Sequence, residues 1–376
     1  MKILFWTDGF WPRRGGIETQ SLQFIEHMQK RGHEYQVFAQ KDSAELKDRE
    51  ELKGITIKRF SFNEVISKKE IKLLHSIQSE LQATLREFQP DIIHLNANVG
   101  GSAFVFLLFI KMFDIPIVST IYAPYSYKNK IPPIIEKLAH AVNVMCCISK
   151  WVLSEMKTKL PQIKSKLQLI YCGLPAPEDL PSPLSFSPPI LLLLGRLSVE
   201  KGFATAIEAF SLLKKEGSQA KLVIAGDGPE RMKLEKLTNE LGLNNSVTFK
   251  GNLKEEEIYP LFNEATVVIV PSLIESFGLV ILEAMQMSRP VIASRVEGIP
   301  EVVSEGETGL LVPMQNPVAF YEAIQQLLKD PEEAIRLGKM GRQKAIDHFT
   351  LTPYLTQYEA LYRELQQEAS AISSAS

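Results

Sequence analysis

The sequence predicts an α/β fold made of two doubly wound, Rossmann-like domains. Short apolar runs alternate with helical patterns along the 376 residues. Such alternation indicates parallel strands joined by right-handed crossover helices. Runs such as Ile190–Leu194 and Val267–Val270 are apolar throughout, which is typical of strands covered on both faces. A proline-rich stretch at 171–189 separates two such series, so we place the domain linker there, at 176–189.

The expected elements follow in chain order. Strands are expected in the first half at 2–7, 35–39, 55–60, 91–95, 116–121 and 143–148, and in the second half at 189–194, 221–225, 246–250, 266–270, 290–293 and 309–312. The expected organisation is one domain at 1–175, a second at 190–350, and a final amphipathic helix with a tail at 351–376. Ligands of doubly wound sheets lie at the carboxyl ends of the strands, so we expect the site residues in the loops directly after strands.

Composition and charge narrow the class of protein. A net charge of −2 argues against nucleic acid as the main partner. Lys and Arg outnumber Asp and Glu in residues 1–177, and the reverse holds in 178–376. A solvated face and attraction to an anionic membrane surface are two explanations of the basic excess, and both stay open. The three cysteines, Cys146, Cys147 and Cys172, match neither a metal spacing nor a disulfide framework.

Two apolar stretches, 1–8 and 103–110, are candidates for targeting or membrane segments. The stretch 1–8 is expected to be a strand rather than a signal peptide, because its apolar run is short and ends at Asp8. The run 103–110 falls well short of the roughly 20 residues that span a bilayer. We expect a cytoplasmic protein whose contact with a membrane, if it has one, is peripheral.

Three loops after strands are rich in glycine. In the first, residues 8–18, Gly15 and Gly16 would let backbone amides approach an anion, although a tight turn is the alternative. In the second, residues 195–202, Arg196 and Lys201 suit a diphosphate, although they could also be two solvated charges. The third, A-G-D-G-P at 225–229, lacks the third glycine of a dinucleotide fingerprint and is expected to be a turn.

The fourth loop precedes an apolar helix that contains one carboxylate. Residues 271–288 read P-S-L-I-E-S-F-G-L-V-I-L-E-A-M-Q-M-S. An unpaired buried carboxylate is costly, so Glu283 is expected to face the ligand and to accept hydrogen bonds, for example from ribose hydroxyls. Glu275, nearer the strand, would accept from another polyhydroxyl group. The first amides of the helix are free and lie at the positive end of its dipole.

Several motifs are absent from the sequence. There is no G-x-x-x-x-G-K-[ST], and no G-x-G-x-x-G follows the first strand. No D-x-D and no cluster of His, Asp and Glu offers a metal site. We therefore expect no cofactor and no metal, and a diphosphate neutralised by Arg, Lys and the helix dipole.

Taken together, these motifs resemble those of family 4 glycosyltransferases of the GT-B architecture. The resemblance covers nearly the whole chain. It rests on E-S-F-G-L-V-I-L-E-A-M with its E-x7-E signature, G-R-L-S-V-E-K-G, A-G-D-G-P, R-P-V-I-A-S, G-I-P-E-V-V and G-G-I-E. It implies an acceptor-side first domain, a nucleotide-sugar-binding second domain facing it across a cleft, and a last helix that crosses back to the first.

The resemblance also implies a role for each matching residue. Arg196, Lys201 and Glu275 would be catalytic: the two cations bind the diphosphate, and Glu275 contacts the donor sugar. The other implied donor-binding residues are Glu283 at the ribose, Phe277, Gly278 and Leu279 at sugar and phosphate, Gly15 and Gly16 from the first domain, and Asn252 and Leu253 at the base. His94, Tyr122 and Tyr125 are the acceptor-side candidates.

The implied reaction is a retaining, metal-independent transfer. A hexose would move from a UDP- or GDP-linked sugar to a hydroxyl of a glycan, a lipid-linked molecule or a small molecule. Two alternatives remain. A sugar-nucleotide epimerase of the same architecture is disfavoured by E-S-F-G and G-R-L-x-x-E-K-G. A catalytically silent sugar-nucleotide binder is motivated by Tyr122.

The sequence departs from the family pattern at a few positions. Tyr122 replaces the histidine of T-x-H, and Asn96 replaces the second histidine of H-x-H, whose first is His94. Ser288-Arg289 stands where a glycine commonly precedes P-V, and Glu297-Gly298 stands for a Gly-Gly pair. Because the last two departures fall in a loop and a turn, we expect them to cost little.

Overall fold

A computed structural model describes residues 1–13, 15–68, 70–97, 100–123, 131–177 and 180–375. The chain divides into two compact units. The first unit comprises Met1–Tyr171 and Thr352–Ser376, and the second comprises Cys172–Leu351. Each unit is built around its own sheet of mainly parallel strands.

The sheet of the first unit has β1 at its centre. Its strands, within the described residues, are β1 (Lys2–Thr7), β2 (Glu34–Gln40), β3 (Arg49–Leu52), β4 (Ile55–Phe60), β5 (Ile92–Ala97), β6 (Ile117–Ile121), β7 (Val144–Cys147) and β8 (Leu167–Leu169). Their order is β3-β4-β2-β1-β5-β6-β7-β8, and β3 pairs antiparallel with β4 while the other pairs are parallel. The strand order reverses between β1 and β5, which is where ligands bind in such sheets.

Helices with one buried face cover this sheet. They are α1 (Gly16–Lys30), α2 (Phe62–Lys68), α3 (Ile71–Glu87), α4 (Gly101–Phe109), α5 (Pro133–Ala141) and α6 (Lys150–Lys159), with short 3-10 turns at Ile110–Met112 and Pro161–Lys166. On α1, the buried residues Phe24, Ile25 and Met28 recur at helical spacing. The hydroxyl of Ser149 accepts a hydrogen bond from the amide of Val152 and so caps α6.

The second unit has a fully parallel sheet. Its strands are β9 (Ile190–Leu194), β10 (Lys221–Ala225), β11 (Val247–Gly251), β12 (Val267–Val270), β13 (Val291–Ser294) and β14 (Leu310–Val312). Their order is β11-β10-β9-β12-β13-β14. The strand order reverses between β9 and β12, so the loops after these two strands border the expected ligand position.

The helices of the second unit pack against its sheet and form the core together with it. They are α7 (Phe203–Lys215), α8 (Arg231–Glu240), α9 (Glu255–Glu264), α10 (Leu279–Gln286), α11 (Ile299–Val302), α12 (Pro317–Lys329) and α13 (Pro331–His348), with a 3-10 turn at Val199–Lys201. Side chains of β9, such as Leu191 and Leu193, pack with Phe210 of α7 and Phe320 of α12.

The last helix, α14 (Leu351–Ala375), belongs to the first unit from Thr352 onward. Its buried side chains include Tyr354, Tyr358 and Tyr362. The rings of Tyr354 and Tyr358 meet Phe24 of α1 edge to face, with centroids 5.4 and 5.2 Å apart. The amphipathic pattern of the helix is thus explained by burial within the first unit.

The fold class predicted from the sequence is confirmed. All twelve expected strands are present, with ends within two residues of those predicted. The sequence reading missed β3 and β8. The first is a polar edge strand, R-E-E-L, and the second has three residues, so neither carries an apolar run.

The proline-rich stretch expected to be a linker is attached to the second unit. The amide of Ser182 donates to Oδ1 of Asn263 over 2.8 Å, and Thr266 donates to the carbonyl of Ser185. Among the described helices, none is long and apolar enough to cross a membrane.

Candidate active site

Glycine lets two loops of the second unit meet at the carboxyl edge of its sheet. Gly202 ends the loop after β9 in the left-handed region, with φ of 64°. A Cβ at this position would overlap the carbonyl oxygen of Pro271, which begins the loop after β12. The amide of Leu273 donates to the carbonyl of Glu200 over 2.8 Å. The two loops are therefore joined by backbone contacts that no larger residue at 202 would allow.

These joined loops bring together Lys201 and Glu275, two of the residues predicted to be catalytic. The Lys201 ammonium donates to Oε2 of Glu275 over 2.6 Å, and both side chains are largely buried. Burial would lower the pKa of Lys201, but the charges of Glu275 and Glu200 outweigh it and hold that pKa above its usual value. Lys201 is therefore an ammonium at neutral pH. It has three donors, so the bond to Glu275 leaves others for a ligand.

The third predicted catalytic residue, Arg196, lies two positions beyond the end of β9. Its side chain is exposed and has no hydrogen bond or ion pair with any residue that the structure describes. A guanidinium with all five donors available suits an anionic ligand.

A glycine turn after β10 supports the loop that carries Arg196. Gly226 has φ of 126°, and a Cβ there would overlap the carbonyl oxygen of Gly195. A Cβ on Gly228 would likewise overlap the carbonyl of Leu197, whose amide donates to Asp227 over 3.0 Å. The A-G-D-G-P segment is thus a turn, as the sequence predicted, and it is packed against the Arg196 loop.

The helix α10 begins with the predicted donor-binding segment. Gly278 precedes it at φ of 99°, a conformation that disfavours other residues. Phe277 is buried against Phe349, with ring centroids 5.6 Å apart. This ring anchors the loop, so the implied contact of Phe277 with a ligand is through its backbone. Leu279 is half-buried at the first position of the helix.

On α10, Glu283 is the polar exception among apolar neighbours. Ile281, Leu282 and Ala284 are buried, whereas Glu283 is half-buried and its carboxylate has no hydrogen-bond partner among the described residues. Burial, helped by the charge of Glu255, raises its pKa from 4.5 to about 7. Within the part of the chain that the structure describes, this carboxylate thus lacks a partner that would stabilise its charge, and its contact with a ligand stays a prediction.

Asn252 and Leu253 follow β11, where the sequence reading places the nucleotide base. Asn252 is exposed and Leu253 is half-buried. The loop leads into α9, which carries Glu255 and Tyr259. Burial and the charge of Glu283 both raise the pKa of Tyr259, so α9 and α10 lie close enough to interact electrostatically.

In the first unit, Gly15 and Gly16 lie at the start of α1 and are exposed. The carboxylate of Glu18 covers Gly15 so closely that a Cβ there would overlap it. Glu18 is held by Arg13, whose Nε lies 3.0 Å from Oε1. The space above Gly15 is therefore taken by a carboxylate, which an anion would have to displace.

This edge of the first unit also contains an open polar cavity of about 400 Å³. Its lining residues are Asp8, Gly9, Arg13, Glu18, Gln40, Asn63 and Gly100. Burial raises the pKa of Asp8, although the amide of Ser102 donates to its Oδ1 over 3.0 Å.

The structure places His94 in the core rather than at this edge. Its Nδ1 shares a 2.6 Å hydrogen bond with the hydroxyl of Tyr362, and its Nε2 shares one of 2.7 Å with Thr120. Burial lowers the pKa of His94 to about 3, so the ring is neutral. Both ring nitrogens are occupied, and His94 therefore joins β5 to α14 instead of contacting an acceptor.

Tyr122 is buried just after β6, and its hydroxyl donates to Oδ1 of Asn96 over 3.3 Å. Tyr125, the remaining acceptor-side candidate, lies outside the described residues.

Glu297, predicted from the sequence to be a tolerated departure from the family pattern, contacts the loop that carries Glu275. Its carboxylate accepts a hydrogen bond from the amide of Glu275 over 2.9 Å. The available signal was the replacement of a glycine by a charged residue at this position. In the described parts of the chain, no group of three or more His, Cys, Asp and Glu side chains could hold a metal ion.

Two family models match the chain, one for each half. "Glycosyltransferase Family 4" matches residues 14–176, and "Glycosyl transferases group 1" matches residues 179–344. Together they account for most of the chain, and the second includes every predicted site residue of the second unit.

Individual relatives agree with these matches. The alpha-D-kanosaminyltransferase of Streptomyces kanamyceticus is 37% identical over 177 residues, which are 47% of this chain and 46% of that protein. The chain thus spans about half the length of the curated relatives that it matches first.

Solved structures match over nearly the whole chain. Sucrose-phosphate synthase from Thermosynechococcus elongatus has a TM-score of 0.82 at 25% identity, covering 97% of this chain and 98% of that one. HepE of Anabaena in complex with UDP-glucose has a TM-score of 0.80 at 20% identity, covering 97% and 100%, and this likeness shows the fold. The chain belongs to the family 4 glycosyltransferases and has their GT-B fold of two Rossmann-like domains.

Proposed function

We propose that this protein is a retaining glycosyltransferase that moves a hexose from a UDP- or GDP-linked sugar to an acceptor hydroxyl. The observation that carries the proposal is the juxtaposition of the 2.6 Å Lys201–Glu275 pair with a glycine-supported loop that presents Arg196, whose side chain has no partner among the residues that the structure describes. Glu283 adds a half-buried carboxylate that has no hydrogen-bond partner in the described parts of the chain. A nucleotide sugar offers what these groups lack, namely an anionic diphosphate and adjacent hydroxyls.

The proposed chemistry assigns a role to each group. The bond between the anomeric carbon and the diphosphate oxygen breaks, and negative charge develops on the leaving nucleoside diphosphate. Arg196 and Lys201 stabilise that charge, while Glu275 accepts hydrogen bonds from the sugar. With retention, the acceptor oxygen attacks the face that the diphosphate leaves, and the acceptor proton passes to a departing phosphate oxygen. A side-chain base is then not required.

The two cations also support a metal-independent reaction that uses no cofactor. If they neutralise the leaving group, chelation by EDTA leaves transfer unchanged. Loss of activity in EDTA with recovery in Mn²⁺ would contradict this part of the proposal.

The donor can be identified by binding. Structures of the fold neighbour HepE contain UDP and UDP-glucose, which favours UDP-sugars as the first candidates here. A thermal-shift panel of UDP- and GDP-sugars tests the proposal, since a ligand at 100 times its Kd stabilises the folded state by about 2.7 kcal/mol. A panel in which no nucleotide sugar raises the Tm would contradict a donor site.

A turnover assay separates transfer from the alternatives. Transfer, or slow hydrolysis of the donor, identifies a transferase. Binding without turnover would instead support the silent binder, and conversion of the donor sugar to its epimer would support the epimerase. Family membership and the name of the kanosaminyltransferase relative favour transfer.

We propose that the polar cavity of the first unit binds the acceptor, whether a glycan, a lipid-linked molecule or a small molecule. Asp8, Gln40 and Asn63 line it and can accept hydrogen bonds from hydroxyl groups. Replacement of Asn63 by Ala is expected to raise the acceptor KM while the donor KM stays unchanged. An unchanged acceptor KM would contradict this assignment.

The basic excess of residues 1–177 supports a peripheral contact with an anionic membrane as well. Phe104 and Leu108 of α4 are exposed apolar side chains in the same region. Flotation with phosphatidylglycerol vesicles tests this contact. Binding there but not to phosphatidylcholine vesicles is expected, and failure to float with either would contradict it.

A further inference from the structure

The turn after β13 contains a glutamate in a backbone conformation that favours glycine. Glu297 has φ of 43°, in the left-handed region. Its neighbour Gly298 has φ of −81° and so does not need to be glycine for its dihedral angles. The sequence therefore places a charged side chain where the backbone favours glycine, and places glycine next to it.

Both residues contact the loop that carries Glu275. The amide of Glu275 donates to Oε2 of Glu297 over 2.9 Å, and the carbonyl of Glu275 accepts from the amide of Gly298 over 3.1 Å. A Cβ on Gly298 would overlap the carbonyl oxygen of Ser276, so glycine is required there for close approach. The backbone of Glu275 is thus held on both its donor and its acceptor side by one turn.

The side chain of Glu275 links this turn to Lys201, the cation that we propose stabilises the leaving group. Its Oε2 accepts from the Lys201 ammonium at 2.6 Å and from the hydroxyl of Ser272 at 3.4 Å. Fixing the backbone of Glu275 fixes where its carboxylate meets Lys201. A displacement of about 1 Å at such a position can cost two orders of magnitude in rate.

We propose that Glu297 is a positioning residue for donor transfer, and that its carboxylate holds the loop around Glu275 in the geometry that the donor sugar requires. This proposal rests on the proposed function, because the donor sugar is the ligand that the loop would bind. The unfavourable φ of residue 297 is then accounted for, since glycine would suit the backbone but would lack the carboxylate.

The test is a variant that separates stability from function. Glu297→Gly removes the hydrogen bond and at the same time suits the left-handed backbone. It is expected to keep or raise the Tm while kcat/KM for the donor falls roughly 10- to 100-fold, as for loss of one hydrogen bond to a charged group. Glu297→Gln keeps an oxygen acceptor and is expected to stay much nearer to the wild-type kcat/KM.

A matched control is available in the same unit. Gln315 is exposed and also has a left-handed backbone, with φ of 53°. Gln315→Gly suits the backbone in the same way without touching the Glu275 loop. It is expected to keep or raise the Tm and to leave kcat/KM unchanged.

Amide hydrogen exchange gives a readout that does not depend on activity. The amide of Glu275 is expected to exchange faster in Glu297→Gly than in the wild type, and at the wild-type rate in Gln315→Gly. Wild-type exchange and wild-type kcat/KM in Glu297→Gly would overturn the positioning role. If the wild type neither binds nor turns over any nucleotide sugar, the proposed function fails instead, and the exchange result still reports whether Glu297 holds the loop.

Discussion

The hydroxyl of Tyr122 donates a 3.3 Å hydrogen bond to Oδ1 of Asn96. These residues occupy the two positions where the sequence lacks the histidines that the family pattern often has. Asn96 continues the contact by donating to the hydroxyl of Ser21 on α1 over 2.7 Å. The two departures therefore contact each other inside the first unit, where the tyrosine donates to the asparagine.

We expect Tyr122→Phe to keep most of the transfer activity but to destabilise the protein. The ring shape is retained, while the buried Oδ1 of Asn96 loses a donor, which costs about 1–3 kcal/mol in the free energy of unfolding. Urea denaturation measures this loss. Tyr122→Ala is expected to lose much more activity, because it removes the ring.

A double-mutant cycle with Asn96→Ala checks the coupling. A coupling energy of at least about 0.5 kcal/mol between Tyr122→Phe and Asn96→Ala is expected for residues in direct contact. Strictly additive effects would contradict the pairing. If the wild type binds the donor without transferring its sugar, and the Tyr122→His variant does transfer it, the silent-binder alternative is correct.

Arg196→Ala and Lys201→Ala are each expected to lower kcat by roughly 30- to 1,000-fold. Each removes a cation that stabilises the leaving group, worth about 2–4 kcal/mol of the barrier. Their effects on folding are expected to differ. Arg196 has no described protein partner, so its loss leaves the Tm unchanged, whereas loss of Lys201 leaves Glu275 without its cation and lowers the Tm.

Lys236, an exposed lysine of α8, provides the matched control. Lys236→Ala is expected to change neither kcat nor Tm appreciably. Wild-type rates in both Arg196→Ala and Lys201→Ala would remove the basis of the proposed leaving-group site.

Glu283 is expected to couple folding to pH. Its pKa is about 7 in the folded protein and near 4.5 when exposed. Between these values the folded state binds more protons than the unfolded state, so this group makes the free energy of unfolding fall as pH rises from about 4.5 to 7. Glu283→Gln removes that contribution. Identical pH profiles of stability for the variant and the wild type would contradict the raised pKa.

The same carboxylate is expected to release a proton when a nucleotide binds. Ribose hydroxyls donate to the ionised form, so UDP or GDP affinity rises with pH between 5.5 and 7.5. Calorimetry at pH 6.5 in two buffers of different ionisation enthalpy measures the proton release. Glu283→Gln is expected to bind more weakly and without proton release, and equal release in both proteins would assign the proton to another group.

Arg289 is expected to be structurally important, contrary to the small effect expected from its position in a loop. Its guanidinium is buried, and it donates to the carbonyls of Met287, Ala265 and Ser182. Burial lowers its pKa to about 10. Arg289→Met leaves these carbonyls without a donor and is expected to cost at least about 2 kcal/mol in the free energy of unfolding.

Arg295→Met is the comparison, since this arginine is exposed and forms a surface ion pair with Glu305. A loss within about 0.5 kcal/mol is expected there. Equal losses in the two variants, measured by urea denaturation, would show that the buried Arg289 contributes no more to the free energy of unfolding than a surface arginine does.

The sequence alone predicted the strands well because parallel strands covered by helices are apolar throughout. Ile190–Leu194 could be placed from this feature alone. The polar β3 and the three-residue β8 lack this feature, although each pairs with a strand that is near it in the chain, β4 and β7 respectively. The positions of the donor-side candidates were also predictable, because they follow strands directly and carry distinctive chemistry, while their roles stay predictions.

Contacts between distant residues were not predictable. His94 was predicted from the sequence to be an acceptor-side residue. In the structure its ring is hydrogen-bonded to Tyr362 of α14, which lies 268 residues later in the chain. Arg289 and Glu297 were predicted to be tolerated departures, because the carbonyls of Ala265 and Ser182 and the amide of Glu275 that they bind come from other loops. In each case the missing information was a tertiary hydrogen bond rather than a local pattern.

The membership of α14 in the first unit affects the order in which the chain can fold during synthesis. The residues of the second unit are contiguous, so a ribosome releases all of them before α14 is complete. Until then, His94 and Phe24 lack the tyrosines that bury them. A nascent chain that stalls after residue 351 would therefore present a finished second unit beside a first unit with an open apolar groove, the kind of surface that chaperones recognise.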